Sequence, residues 1–153
     1  AALGRGEFGR LDWARAPGLK PERVALVGLR DLDEGERAAL RESDVHAYTM
    51  STVDERGVTA VVDEAIDAVG GGDGVHVSLD LDWLDPVEGP GVGTPVRGGV
   101  TYREAHTALE RVATRAAVRS LELVEVNPIL DDHNATGELA VDLAASALGK
   151  RIL

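Results

Sequence analysis

The stretch HVSLDLDWLDP, residues 76–86, constrains this chain most tightly. Val75, Val77, Leu79 and Leu81 read as a buried strand, yet Asp80, Asp82 and Asp85 crowd its end and the loop beyond. A buried carboxylate without a partner is costly. Asp80 and Asp82 are two residues apart, so an extended backbone aims both the same way. Two such carboxylates repel unless a cation lies between them, and hard divalent ions such as Mn²⁺ or Mg²⁺ prefer oxygen ligands. The residues leave a second reading open, in which the acids cap the next helix or accept backbone amides.

The rest of the chain shows what kind of sheet this strand belongs to. Residues 1–22 combine Gly, Pro and charge and read as loop. RVALVGL, 23–29, is a short apolar run expected to be a strand. A helix follows over about 34–42, with Asp33 as N-cap and Glu36 as its capping-box partner. VHAYTM, 45–50, reads as a second strand, after which Ser51 or Thr52 is placed to cap a short helical turn. Val58, Val61, Val62, Ala65, Ile66 and Val69 have helical spacing across 57–69, and GGGDG ends that helix. The strand 75–81 leads into PVEGPGVGTPVRGGV, residues 86–100, a long ordered loop. Thr101, with Glu104 three residues on, opens a helix over about 102–116. SLELVEV, 120–126, is a fourth strand, and ATGELAVDLAASAL is a closing helix ended by Gly149.

Strands alternating with helices predict an α/β fold, a three-layer α/β/α arrangement with a mainly parallel sheet. No internal repeat or domain boundary is visible, so 1–153 reads as a single unit. In open parallel sheets, ligand sites form outside the carboxyl ends of the strands. Three of the four expected strands end in acid: Asp31 and Asp33, then Asp80 and Asp82, then Glu125.

The formal net charge of −11 argues against nucleic-acid or anionic-membrane partners, which call for Lys/Arg patches, and suits a cationic ligand. Aromatic residues are 3% of the chain, so the core must come from Val, Leu, Ile and Ala. The lack of Cys excludes disulfides and thiolate metal sites, and permits a cytoplasmic location. No apolar run approaches the ~20 residues of a membrane span, and no signal peptide is visible. The chain opens at Ala1 on AALGRGEFGRLDWARAPGLKPE, which reads as a helix end and connecting loop, as in a fragment or a processed chain.

HVSLDLDWLDP, PGVGTPVRGGVTYREAH and VEVNPILD together resemble the C-terminal half of the bacterial-type arginases, in the manganese ureohydrolase family. VALVGLRDLDEGE and VHAYTMSTVDERG match upstream, and the likeness runs to the closing ALGKRIL. The resemblance implies hydrolysis of L-arginine to L-ornithine and urea by a hydroxide bridging two Mn²⁺ ions. It implies that Asp80 bridges both ions and that Asp82 binds the second. It casts Glu125 as the acid that holds the substrate guanidinium, with the Thr94 hydroxyl beside it. Asp33 would read the α-amino group, with Asp31 and Glu36 in support. Arg103 and Glu104 would lie at the subunit interface of a homotrimer or homohexamer.

The chain also departs from that pattern. Trp83 stands where many arginases carry Gly. The family's upstream motifs, Gly-Gly-Asp-His-Ser and Asp-Ala-His-x-Asp, are missing, as are the catalytic His and the α-carboxylate contacts. Two of six expected metal ligands remain, so the expectation is an incomplete ureohydrolase that is inactive by itself. RDLDEGE and EVNP favour arginase over an agmatinase or another guanidino hydrolase. A non-catalytic assembly or binding fragment is the alternative from another class. His76 is expected to be buried and structural, and His46, His106 and His133 to be surface or hydrogen-bonding residues. GPGVGTP lacks the Lys-Ser/Thr ending of a phosphate loop and does not open onto a helix.

Overall fold

The computed structural model describes residues 19–70 and 74–151. The expectation of loop over 1–18 therefore lies outside the described residues. A 3-10 turn at Pro21–Arg23 leads into β1, Ala25–Leu29. Then follow α1 (Glu34–Arg41), β2 (His46–Thr49), α2 (Met50–Arg56), α3 (Val58–Val69) and β3 (Val75–Asp80). A second 3-10 turn, Leu81–Trp83, ends β3, and α4 (Tyr102–Arg115), β4 (Val118–Val124) and α5 (Ala135–Ala147) complete the order. The expected alternation of strands and helices is present.

Among the described residues, the two pairings between strands are parallel. β1 lies beside β2, with Ala25 opposite His46, and β3 beside β4, with Val75 opposite Val118 and Asp80 opposite Val124. The described strands form two two-stranded sheets. Leu79 and Tyr48 are buried in the core, and Ala25, Val27, Leu121 and Leu123 pack against it. Val61 on α3, Ala105 on α4 and Leu143 on α5 are fully covered in the same cluster. Each such Val or Leu side chain contributes about 1.5–3 kcal/mol. The opposite face carries Ala47 on the first sheet and His76, Ser78, Ser120 and Glu122 on the second, all exposed.

His76 therefore departs from its expected buried role. Strand alternation turns it away from the helices, where its Nδ1 meets Ser120 Oγ at 2.8 Å and its Nε2 lies 3.6 Å from Glu122. His106 is the buried histidine, on α4, with Nδ1 2.8 Å from Ser146 Oγ of α5.

Local capping sets several helix starts. Asp33 Oδ1 accepts the Glu36 N–H at 2.8 Å, and Glu36 Oε2 accepts the Asp33 N–H at 2.9 Å, closing the expected capping box. Thr101 and Glu104 close the second, on α4. The second strand is shorter than expected, because Thr49 rather than Ser51 or Thr52 caps α2. Its Oγ1 accepts the Thr52 N–H at 3.2 Å, which makes Met50 the first helical residue.

Candidate functional site

β3 delivers Asp80 at its carboxyl end, but the backbone turns there. Asp80 Oδ1 accepts the Asp82 N–H at 3.0 Å and so caps the 3-10 turn. Asp82 thus sits on that turn and not on an extended strand, and the same-face argument from strand alternation does not apply to the pair. Burial pushes the Asp80 carboxyl up to about 6. The Asp82 backbone N–H opposes that rise, and the neighbouring charges of Asp82 and Glu125 add to it. The strand end is therefore a place where negative charge converges on a half-buried carboxylate.

Asp85, the third acid of the stretch, has a different task. Its carboxylate accepts the Val87 N–H at 3.0 Å and the Gly98 N–H at 2.8 Å, and these bonds hold it below the usual carboxylate range. It staples the start of the long loop to its end. The loop is also pinned in its middle, where Gly91 N donates to the buried Thr136 Oγ1 at 2.8 Å and Gly91 O accepts the Asn127 N–H at 2.7 Å. This is how 86–100, without a helix or strand of its own, stays ordered as expected.

The pinned loop brings Thr94 to the acids, and its hydroxyl donates to Asp82 Oδ2 at 2.9 Å. Glu125 follows β4 with φ +68°, in the left-handed region that few residues other than Gly adopt. A Cβ on Gly93, next to Thr94, would lie 3.8 Å from Glu125 Oε2. Asp80, Asp82, Thr94 and Glu125 are therefore gathered at one end of the β3–β4 pair. A cleft lined by Gly28, Leu29, Arg30, Asp31, Asp82 and Val96 extends from them to the end of β1. Asp33 and Glu36 stand beyond that lining, at the start of α1.

Arg30 is the site residue that sequence reasoning missed. Its guanidinium donates to the backbone carbonyls of Asp82, Leu84 and Val96. Its place directly before Asp31 and Asp33 was the available signal. Arg103 is exposed, while Glu104 is turned back on its own helix start, accepting from Thr101 N and Oγ1 at 2.8 Å each.

A pair of aspartates with a hydroxyl and a nearby glutamate offers hard oxygen donors suited to a divalent cation. Among the described residues, no group of three or more His, Cys, Asp or Glu is arranged to hold a metal by itself. Asp80 and Asp82 fit as members of a larger ligand set.

The chain is thus a parallel α/β protein with acids converging at its strand ends. The arginase family pattern matches residues 5–149, and the chain belongs to the arginase family. It is 53% identical over 138 residues to an arginase of Bacillus subtilis (strain 168), covering 90% of this chain and 47% of that one. A crystal structure of arginase from Bacillus subtilis superimposes with a TM-score of 0.93 at 50% identity, covering 100% of this chain and 55% of the other. A crystal structure of a hypothetical agmatinase from Burkholderia thailandensis matches with a TM-score of 0.72 at 26% identity, over 84% of this chain and 38% of the other. The chain spans about half the length of the curated relatives it matches. Among the described residues, no helix is long and apolar enough to cross a membrane.

Proposed function

We propose that this chain supplies the C-terminal half of a manganese-dependent arginase that converts L-arginine to L-ornithine and urea. The observation that carries the reading is the gathering of Asp80, Asp82, Thr94 and Glu125 at one end of β3 and β4. The higher identity to an arginase than to an agmatinase structure favours arginine as substrate.

Asp80 and Asp82 would hold manganese as members of the completed ligand set. When bound, the metal lowers the pKa of water and supplies a nucleophile near neutral pH. Glu125 pairs with the substrate guanidinium through charge-assisted hydrogen bonds and orients its carbon. Thr94 steadies the Asp82 carboxylate beside that group. Asp33 accepts from the α-ammonium, with Asp31 and Glu36 adding negative charge to the rim. Arg103 and Glu104 belong to the interface of a cytoplasmic homotrimer or homohexamer. The chain supplies two of six ligands, so turnover is assigned only to the completed site.

The test is a chimera. The upstream half of Bacillus subtilis arginase, fused ahead of this chain, is expected to release urea from arginine in a manganese-dependent manner. The 153-residue chain alone should release none. A chimera that folds, binds manganese and leaves arginine intact would overturn the proposal, and preference for agmatine would move the substrate to the rival class.

A further inference from the structure

We propose that Arg30 is the positioning residue that couples the substrate rim to the acidic end of β3. The inference rests on the site reading above. Arg30 directly follows β1. Its Nε donates to Val96 O at 3.1 Å, and its Nη2 to Val96 O at 2.8 Å and Leu84 O at 3.3 Å, with the Asp82 carbonyl as a further acceptor. These carbonyls belong to two separate segments, the turn after β3 and the long loop. The same segments carry the Asp82 carboxylate and the Thr94 hydroxyl that meet at 2.9 Å. One half-buried guanidinium therefore holds the backbone on both sides of that contact.

The packing beneath Arg30 explains its reach. Gly28 has φ +88°, and a Cβ there would fall 2.0 Å from Trp83 Nε1. The Trp83 ring thus lies directly on the β1 backbone and brings the end of β1 against the turn. On its other side Arg30 adjoins Asp31 in the cleft, and Asp33 starts α1. Arg30 is thus the hydrogen-bonded link from the rim to the segments of Asp82 and Thr94, beside the Trp83 packing contact. The planar fork of Arg suits this task, because the compact ammonium of Lys cannot donate in one plane to carbonyls of two segments.

The experiment is amide exchange by NMR on the ¹⁵N-labelled 153-residue chain and its Arg30→Lys variant. The amides of Asp82, Leu84, Gly98 and Val100 are hydrogen-bonded around the clamp. Arg30→Lys should speed their exchange roughly tenfold or more, as expected for the loss of a charge-assisted bond, and leave Leu109 and Leu121 within about twofold. In the chimera described above, Arg30→Lys should weaken Mn²⁺ binding by titration calorimetry. Unchanged exchange at the four amides, or an equal rise across α4 and β4, would refute the coupling. In the unmutated chain the Arg30 Nε–H should exchange slowly; exchange at the rate of free arginine refutes the clamp without any substitution. If the chimera with the upstream half binds no Mn²⁺, the manganese reading fails, and the exchange comparison still decides the role of Arg30.

Discussion

The Thr94 hydroxyl donates to Asp82 Oδ2 at 2.9 Å, joining the long loop to the turn that ends β3. Thr94→Val removes that bond and keeps the shape. The contact is exposed, so stability should change by about 0.5 kcal/mol or less. The freed carboxylate should show weaker Mn²⁺ binding in the chimera by titration calorimetry, with Thr94→Ser close to the parent.

Glu125 holds a left-handed backbone, with φ +68°. That conformation costs a side-chain-bearing residue about 1–2 kcal/mol, and Gly relieves it at the expense of greater unfolded-state entropy. Glu125→Gly should be more stable than Glu125→Ala by roughly 1 kcal/mol in urea denaturation, although both lose the carboxylate. Glu125→Gln should leave manganese bound to the chimera and cut urea release strongly. Loss of metal at unchanged activity per bound ion would instead make Glu125 a ligand.

Asp33 already uses Oδ1 to cap α1, so its second oxygen is the one left for a substrate ammonium. Asp33→Asn keeps a good N-cap and should leave the melting temperature nearly unchanged. In the chimera, kcat/KM for arginine should fall roughly ten- to a hundredfold, the worth of a charge-assisted hydrogen bond. A value within about twofold of the parent would reduce Asp33 to a helix cap.

Thr136 is fully buried, and its hydroxyl accepts the Gly91 N–H at 2.8 Å. Thr136→Val leaves that donor unpaired in the interior, a loss of about 1–3 kcal/mol. Urea denaturation of the 153-residue chain should show it as a lower midpoint at unchanged slope.

Asp63 on α3 is bound by Arg111 of α4, with Nε–Oδ1 at 2.9 Å, and Arg115 lies close by. The Arg111 hydrogen bond holds its carboxyl below the usual carboxylate range. A depressed folded pKa means that the contribution is present above the unfolded value, near 3.9, and is lost as pH falls through the folded one. Asp63→Asn should therefore flatten the acid limb of the stability–pH curve below about pH 4 and change its slope near neutrality little.

The two capping boxes, Asp33–Glu36 and Thr101–Glu104, were legible in the sequence. So were the acids at strand ends, the long ordered loop over 86–100 and the likeness to arginase. A capping box closes within three residues, and strand and helix periodicity record which face is apolar, so adjacent residues carry that information. Tertiary structure alone decided the rest. The spacing of Asp80 and Asp82 suggests that both point the same way, but the Asp82 amide folds onto Asp80 and places Asp82 on a turn. Asp85 reads like its neighbours and instead staples a loop to Gly98, thirteen residues on. His76 falls on the polar sheet face because the helices cover the other one. Arg30 meets Val96 across 66 residues, and Thr136 meets Gly91 across 45. Such partners depend on how separate segments pack, and no spacing within either segment specifies which distant carbonyl or amide a side chain will find.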